Sequence, residues 1–292
     1  MPVSFAGGTA VVTGAGSGLG AAMVAQFAAH GMAIVALDID GARVEDVARA
    51  VRDGGGRAVA MCVDVADSDD LCAAATLAVE SFGGCNILCA NVGVQQFGAI
   101  DTLTEQDWRW VLEVNVMGVI RTVAAFLPLI RRTAGDRRIA ITSSSAALTP
   151  GIRITSSSAA LTPGIRMGAY TASKYAVTGY AETLRMELAE EAIGVSILFP
   201  AGMTTRHLES SVQARPAALG ASQARRADID AMMASRGMDA ANHVASADHA
   251  VRHLVADLAA NERHIVTHGE YRAQLLTDHN AILRAHDRGQ RD

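Results

Sequence analysis

TAVVTGAGSGLG, residues 9–20, opens on five residues suited to a strand and ends on a glycine-rich turn leading into an apolar run with helical spacing. Strand, glycine turn and helix in that order suit a nucleotide-binding βα unit. Glycines admit the tight turn and let backbone N–H groups approach a pyrophosphate at the positive end of the helix. The spacing is GxxxGxG rather than the commoner GxGxxG, and a plain tight turn is the alternative reading. The stripe Leu19, Met23, Val24 and Phe27 predicts a helix that stops at Gly31.

Outward from this unit, short Val- and Ile-rich runs predict strands at residues 9–13, 33–38, 58–64, 86–90, 138–143, 195–199 and 264–267, alternating with Ala-rich helical stretches. That alternation predicts an α/β fold with a doubly wound parallel sheet, and several strands apolar at every position suit helices on both faces. No linker divides the chain before Pro200, so a single domain over residues 1–292 is expected. Residues 203–245 read as a substrate lid or a surface excursion, and residues 269–292 as a helical tail.

Composition narrows the function. The chain of 292 residues is 50% hydrophobic, enough for a core, and its net charge of −5 with scattered arginines argues against nucleic acid as a partner. The first residues lack a cationic stretch followed by an apolar run, so no secretion signal is read. Residues 110–130 are the most membrane-like, but Glu113, Asn115 and Arg121 interrupt them, which suits a buried or interface helix and no membrane association. Cys62, Cys72, Cys85 and Cys89 form no CxxC pair and read as reduced core residues of a cytoplasmic protein. Eight of nine histidines lie after residue 200 without a ligand pair, so no metal is expected and solvated or helix-face roles are.

Asp38 ends the second predicted strand, 18 residues after Gly20. A carboxylate there accepts hydrogen bonds from an adenosine ribose and repels a 2′-phosphate, favouring NAD over NADP; a helix N-cap is the alternative. Asp64, with Val65 beside it, ends the third strand and either contacts the adenine or opens the next turn.

Together Thr13 to Gly20, Asp64, Asn91-Val92-Gly93, Asn115 and Tyr170-Thr171-Ala172-Ser173-Lys174 resemble the short-chain dehydrogenase/reductase family, in order from about residue 5 to 205 and again near Ile265. The resemblance implies a Rossmann-type fold, a nicotinamide cofactor and a homodimer or homotetramer. It implies cofactor contacts from Gly14, Ser17, Gly18, Leu19 and Gly20, from Asp38, Asp64 and Val65, from Asn91 and Gly93, and from Tyr170, Lys174, Pro200 and Thr205. Ala90 and Val92 depart from the family's Asn-Asn-Ala-Gly turn, and Ala201 departs from its Pro-Gly turn.

Hydride transfer from a carbinol carbon needs a base for the alcohol proton, and a free tyrosine with pKa ~10 is poorly matched to that task near neutral pH. Lys174 lies four residues after Tyr170 on one helix face, where its ammonium stabilises the phenolate. Tyr170 is then the acid/base, and Lys174 also holds the ribose. The resemblance makes Asn115 a residue that helps hold a water near the lysine; a satisfied core amide is the alternative.

A substrate-binding serine is expected at the end of the fifth strand, 13 positions before the tyrosine in the family. Here the 13-residue unit ITSSSAALTPGIR occurs twice in tandem over residues 141–166, offering Ser144 and Ser157. Counting back from Tyr170 gives Ser157. Counting from the strand gives Ser144, because using the second copy as strand buries Arg153 where Ala140 would otherwise sit, at a cost of several kcal/mol (~3–5 for an unpaired buried charge). Looping out 13 further residues costs little, since closure entropy grows logarithmically. The strand argument favours Ser144, with Ser157 the alternative.

The sequence thus points to an NAD-dependent secondary-alcohol dehydrogenase or ketone reductase acting on a small molecule. Its resemblance is nearest the branch that contains aryl secondary-alcohol dehydrogenases, and the methionines of residues 203–245 suit an apolar substrate. The alternative is a nucleotide-binding member whose catalysis the duplication has impaired.

Overall fold

Seven parallel strands lie in the order β3-β2-β1-β4-β5-β6-β7 in a computed structural model that describes residues 3–147, 165–221, 225–235, 244–269 and 272–289. The strands are β1 Thr9–Thr13, β2 Ala33–Asp38, β3 Arg57–Cys62, β4 Ile87–Ala90, β5 Arg137–Thr142, β6 Ile193–Phe199 and β7 His264–Val266. Helices α1 Gly18–Ala29, α2 Gly41–Asp53, α3 Ser68–Phe82, α4 Glu105–Leu112, α5 Gly118–Arg132, α6 Gly168–Glu187, α7 His207–Gln213 and α8 Arg226–Ser235 follow in chain order.

Both faces of the sheet are covered. Val11, Val35, Leu88, Ile139 and Val195 pack toward α3, α5 and α6, while Val12, Ile34, Ile87, Ala140 and Leu198 pack toward α1 and the helical segment Leu254–Ala259. Alternate residues of one strand therefore enter opposite cores, which is why these strands are apolar throughout. The edge strand β3 is the exception: it is only partly buried and ends at Cys62, because Asp64 turns away with its carboxylate accepting the Ala66 N–H. Cys62 at this edge and Cys72 on α3 are therefore exposed rather than core residues, and only Cys85 and Cys89 are buried. Helix α1 ends at Ala29, two residues short of Gly31, whose φ of +76° carries the turn into β2.

The order reverses between β1 and β4, so the chain leaves these neighbours in opposite directions and opens a crevice at their carboxyl ends. Residues 105–132 form one 28-residue helical run, long and apolar enough to cross a membrane by composition. Its apolar side is part of the core, through Val119, Val123, Phe126, Leu129 and Ile130.

The fifth strand is built from the first copy of the repeat, with Ile141 and Thr142 pairing Ile197 and Leu198. Arg138 is buried in this strand, and its guanidinium has the partners such burial needs. Its Nε donates to Leu258 O at 2.8 Å, Nη1 to Arg137 O at 2.9 Å, and it lies 5.8 Å from the Phe5 ring centroid. Residues 148–164, including Ser157 and most of the second copy, lie outside the described residues.

Candidate active site

The carboxyl ends of β1, β2, β4, β5 and β6 line a cavity of about 840 Å³, within the range of small-molecule and cofactor sites. Its first half is the glycine turn. A Cβ on Gly20 would lie 2.0 Å from Gly14 O, so only glycine lets α1 start this close to the turn. Ser17 precedes α1 in an extended conformation without capping it through its side chain, leaving the first-turn N–H groups for an anion.

Asp38 lines the same half. Its carboxylate accepts Gly16 N–H at 2.8 Å and Asp40 N–H at 3.0 Å, which fixes the charge at the rim of the turn. The cap of α2 is Asp40, not Asp38. Asp64 and Val65 line the wall beyond, Asp64 both bordering the cavity and opening its turn. Asn91 ties three strand ends together: its Nδ2 donates to Thr13 O at 3.2 Å and its Oδ1 accepts the Thr142 hydroxyl at 3.0 Å. These residues make a cradle that fits a dinucleotide, with a close backbone approach, a free helix N-terminus and a carboxylate at its far end.

The second half is centred on α6. Tyr170 and Lys174 face the cavity one turn apart, with Lys174 Nζ 5.6 Å from the Tyr170 ring centroid. Lys174 is buried, and that burial pushes its pKa down to about 8. The ammonium has room because residue 93 is glycine: a Cβ there would sit 3.1 Å from Nζ.

Residues of the first repeat copy grip both ends of this lysine. Nζ donates to Thr142 O at 3.0 Å, and the Ser143 hydroxyl donates to Lys174 O at 3.0 Å. The flanking backbone is fixed as well, with Ser143 N–H on Leu198 O at 2.8 Å and Ser145 N–H on Pro200 O at 3.0 Å. Ser144 between them borders the cavity.

Asn115 stands behind this wall, in a π-helical turn, Glu113–Met117, that joins α4 to α5. Its Oδ1 accepts Val94 N–H at 2.7 Å, and its Nδ2 donates to Val94 O and to the Ser173 hydroxyl, both at 2.9 Å. The side-chain amide is therefore satisfied by protein, and it fastens α6 to the turn after β4. π turns are frequent at functional sites.

Two features of this half were not read from the sequence. The turn Pro200–Met203 is braced from β7: Ala201 N–H reaches the Thr267 hydroxyl at 3.4 Å, Thr267 bonds His268 Nδ1 at 2.8 Å, and His268 Nε2 bonds Gly202 O at 2.8 Å. Because a carbonyl only accepts, Nε2 carries the proton and Nδ1 accepts from Thr267. The other is His207, which corrects the expectation of solvated histidines. Its ring lines the cavity and meets the Tyr170 ring edge-on, centroids 6.1 Å apart. Burial first, and the Lys174 charge second, push its pKa down to about 4.

Residues 207–219 contribute His207, Leu208, Ser210, Ala214, Pro216 and Leu219 to the cavity wall, and Arg215 pins them. It forms a buried ion pair with Asp107 at 2.8 Å, donates to Gln96 Oε1 at 3.2 Å and lies 5.4 Å from the Trp110 ring centroid. Burial alone would raise the Asp107 pKa, but hydrogen bonds from Thr104 and the Arg215 partner hold it below the usual value.

Residues 8–216 match the family model described as short chain dehydrogenase. The chain belongs to the short-chain dehydrogenase/reductase family. An otherwise uncharacterized NAD-dependent oxidoreductase of Mycobacterium tuberculosis is 34% identical over 221 residues, covering 70% of this chain and 75% of that protein. The 3β-hydroxysteroid dehydrogenase 1 of Eggerthella lenta is 34% identical over 203 residues, covering 68% and 72%. A crystal structure of a short-chain dehydrogenase/reductase from Burkholderia phymatum in complex with NAD superposes with a TM-score of 0.83 at 30% identity, over 97% of this chain and 96% of that one. Of the residues expected from this family's pattern, the cavity of this short-chain dehydrogenase/reductase gathers Gly14, Ser17, Gly18, Leu19, Gly20, Asp38, Asp64, Val65, Asn91, Gly93, Ser144, Tyr170, Lys174, Pro200 and Thr205, while Asn115 is not in its lining.

Proposed function

We propose that this protein is an NAD-dependent dehydrogenase that interconverts a small secondary alcohol and its ketone, with Tyr170 as acid/base. The chain is an NAD-dependent oxidoreductase of its family, and NAD, when bound, supplies the hydride-accepting ring. The observation that carries the reading is the Tyr170–Lys174 pair inside the cavity, with the ammonium 5.6 Å from the phenol ring. Tyr170 takes the alcohol proton. Lys174 lowers the cost of the phenolate, Ser144 holds the substrate oxygen, and Asn115 positions α6 through Val94 and Ser173. The apolar lining by Phe97, Trp110, Met167 and Met232 favours an apolar or aromatic carbon skeleton. The hydroxysteroid relative supports a hydroxyl substrate.

In this reading residues 1–292 act as one domain. The expected substrate lid at 203–245 is then carried by its described parts, residues 222–224 and 236–243 lying outside them; the tail within 269–292 is the helix Arg272–Gly289; and the active form is a homodimer or homotetramer in the cytoplasm.

Two substitutions test the assignments. Ser144→Ala should lower alcohol-dependent NAD reduction by about 10²-fold, the scale of losing one oxyanion-type donor, whereas Ser157→Ala should change it less than threefold (~0.6 kcal/mol). Equal losses, or a loss confined to Ser157→Ala, would move the role to the second copy. Asp38→Asn keeps the side-chain shape and removes its charge. NAD affinity should fall about tenfold while the preference for NAD over NADP narrows, measured by fluorescence titration of the reduced cofactors; an unchanged preference would contradict the role of Asp38.

A further inference from the structure

We propose that Thr267 and His268 are positioning residues for the nicotinamide end of the cofactor, acting through the turn that follows β6. The inference concerns NAD alone and holds whatever substrate is turned over. A dinucleotide with its adenosine at Asp38 and its pyrophosphate at the start of α1 reaches with its other end into the half of the cavity centred on α6. The turn from Pro200 to Thr205 spans that stretch. Pro200, Ala201, Gly202 and Met203 line the cavity, and Thr205 packs onto the glycine turn, where a Cβ on Gly18 would lie 3.3 Å from the Thr205 side chain.

Two peptide groups of this turn are held by side chains that do not line the cavity. Ala201 N–H donates to the Thr267 hydroxyl at 3.4 Å, that hydroxyl donates to His268 Nδ1 at 2.8 Å, and His268 Nε2 donates to Gly202 O at 2.8 Å. A donor and an acceptor of the turn are thus closed into one ring of hydrogen bonds. The pair is itself anchored: it follows β7 directly, β7 pairs with β6 through Ile265 on Leu198 and Val266 on Phe199, and Arg252 donates to Thr267 O at 3.3 Å. The ring needs a neutral imidazole, since a protonated one has no lone pair for the Thr267 hydroxyl. Burial, with His249 and Arg252 beside it, pushes the His268 pKa down against the opposing pull of the Gly202 carbonyl. The imidazole is therefore in the state that the turn requires, and the turn is fixed before the cofactor arrives.

Calorimetric titrations with NADH and with ADP-ribose, which lacks the nicotinamide ring, separate positioning from general support of the fold. In His268→Phe and in Thr267→Val, NADH affinity should fall about tenfold, the scale of one or two lost hydrogen bonds, while ADP-ribose affinity stays within about twofold of the unaltered protein. His268→Gln still donates toward Gly202 and Thr267→Ser keeps the hydroxyl, so both should recover most of the NADH affinity. Should His268→Phe bind neither ligand, the near-isosteric Thr267→Val decides. Equal losses for both ligands in Thr267→Val would mean that the pair supports the fold alone. Unchanged NADH affinity in both variants would mean that the turn holds without the pair. Either result overturns the proposal. The titrations involve no alcohol, so neither result bears on the dehydrogenase reading, which turnover tests separately.

Discussion

Tyr170→Phe is expected to lower alcohol-dependent NAD reduction by about 10²–10⁴-fold, the range of a positioned general acid or base, with a much smaller effect on NADH affinity. The substitution deletes one oxygen and leaves the ring, which packs against Phe97, Met167 and Met232 and meets His207. Packing is therefore retained and the loss falls on the proton transfer. Steady-state rates with a secondary alcohol, beside a fluorescence titration with NADH, separate the two. A Phe variant within tenfold of the unaltered rate (~1.4 kcal/mol) would mean that another group takes the proton.

Lys174→Met should be nearly as damaging at neutral pH, and its effect should depend on pH in a defined direction. At about 6 Å and an effective dielectric near 20, an ammonium stabilises a phenolate by about 3 kcal/mol, or roughly two pKa units and ~10²-fold in reactive base. The lysine pKa is lowered to about 8 by burial, so it is charged below that pH and loses its charge above it. The advantage over the Met variant should thus be largest below about pH 8 and shrink as pH rises, while the variant's own rate keeps climbing toward the ordinary tyrosine pKa of ~10. Parallel pH–rate profiles of the two proteins would contradict this account. Methionine fills similar volume without a buried charge, so the fold should survive.

What the sequence disclosed was what local pattern controls. Strands β1 and β2 lie over residues 9–13 and 33–38 as the Val and Ile runs predict, and the sharp turn from Gly14 to Gly20 is written in its glycines. The Tyr170–Lys174 pair was legible because four residues make one helical turn. The two serine copies are locally identical; Arg153 ahead of the second copy favours the first as strand, and the structure does build β5 from the first, whose Thr142 and Ser143 hold Lys174 through contacts 32 and 31 residues apart in the chain.

His207 was illegible, since nothing in RHLES reveals that the ring will meet Tyr170, 37 positions earlier. The brace from Thr267 and His268 to the Pro200–Met203 turn joins segments 66 residues apart. Asn115 announced itself as a polar residue in an apolar helix, but not that its amide would be taken up by Val94 and Ser173.

The central claim is that this chain, with its tandem repeat, turns over a secondary alcohol. It is tested most directly by the formation of NADH from NAD and a panel of secondary alcohols by the unaltered protein. Alcohol-dependent NADH formation is the expected result. Binding of NADH without turnover, and activity restored by deleting residues 154–166, would show that the duplication has disabled the site.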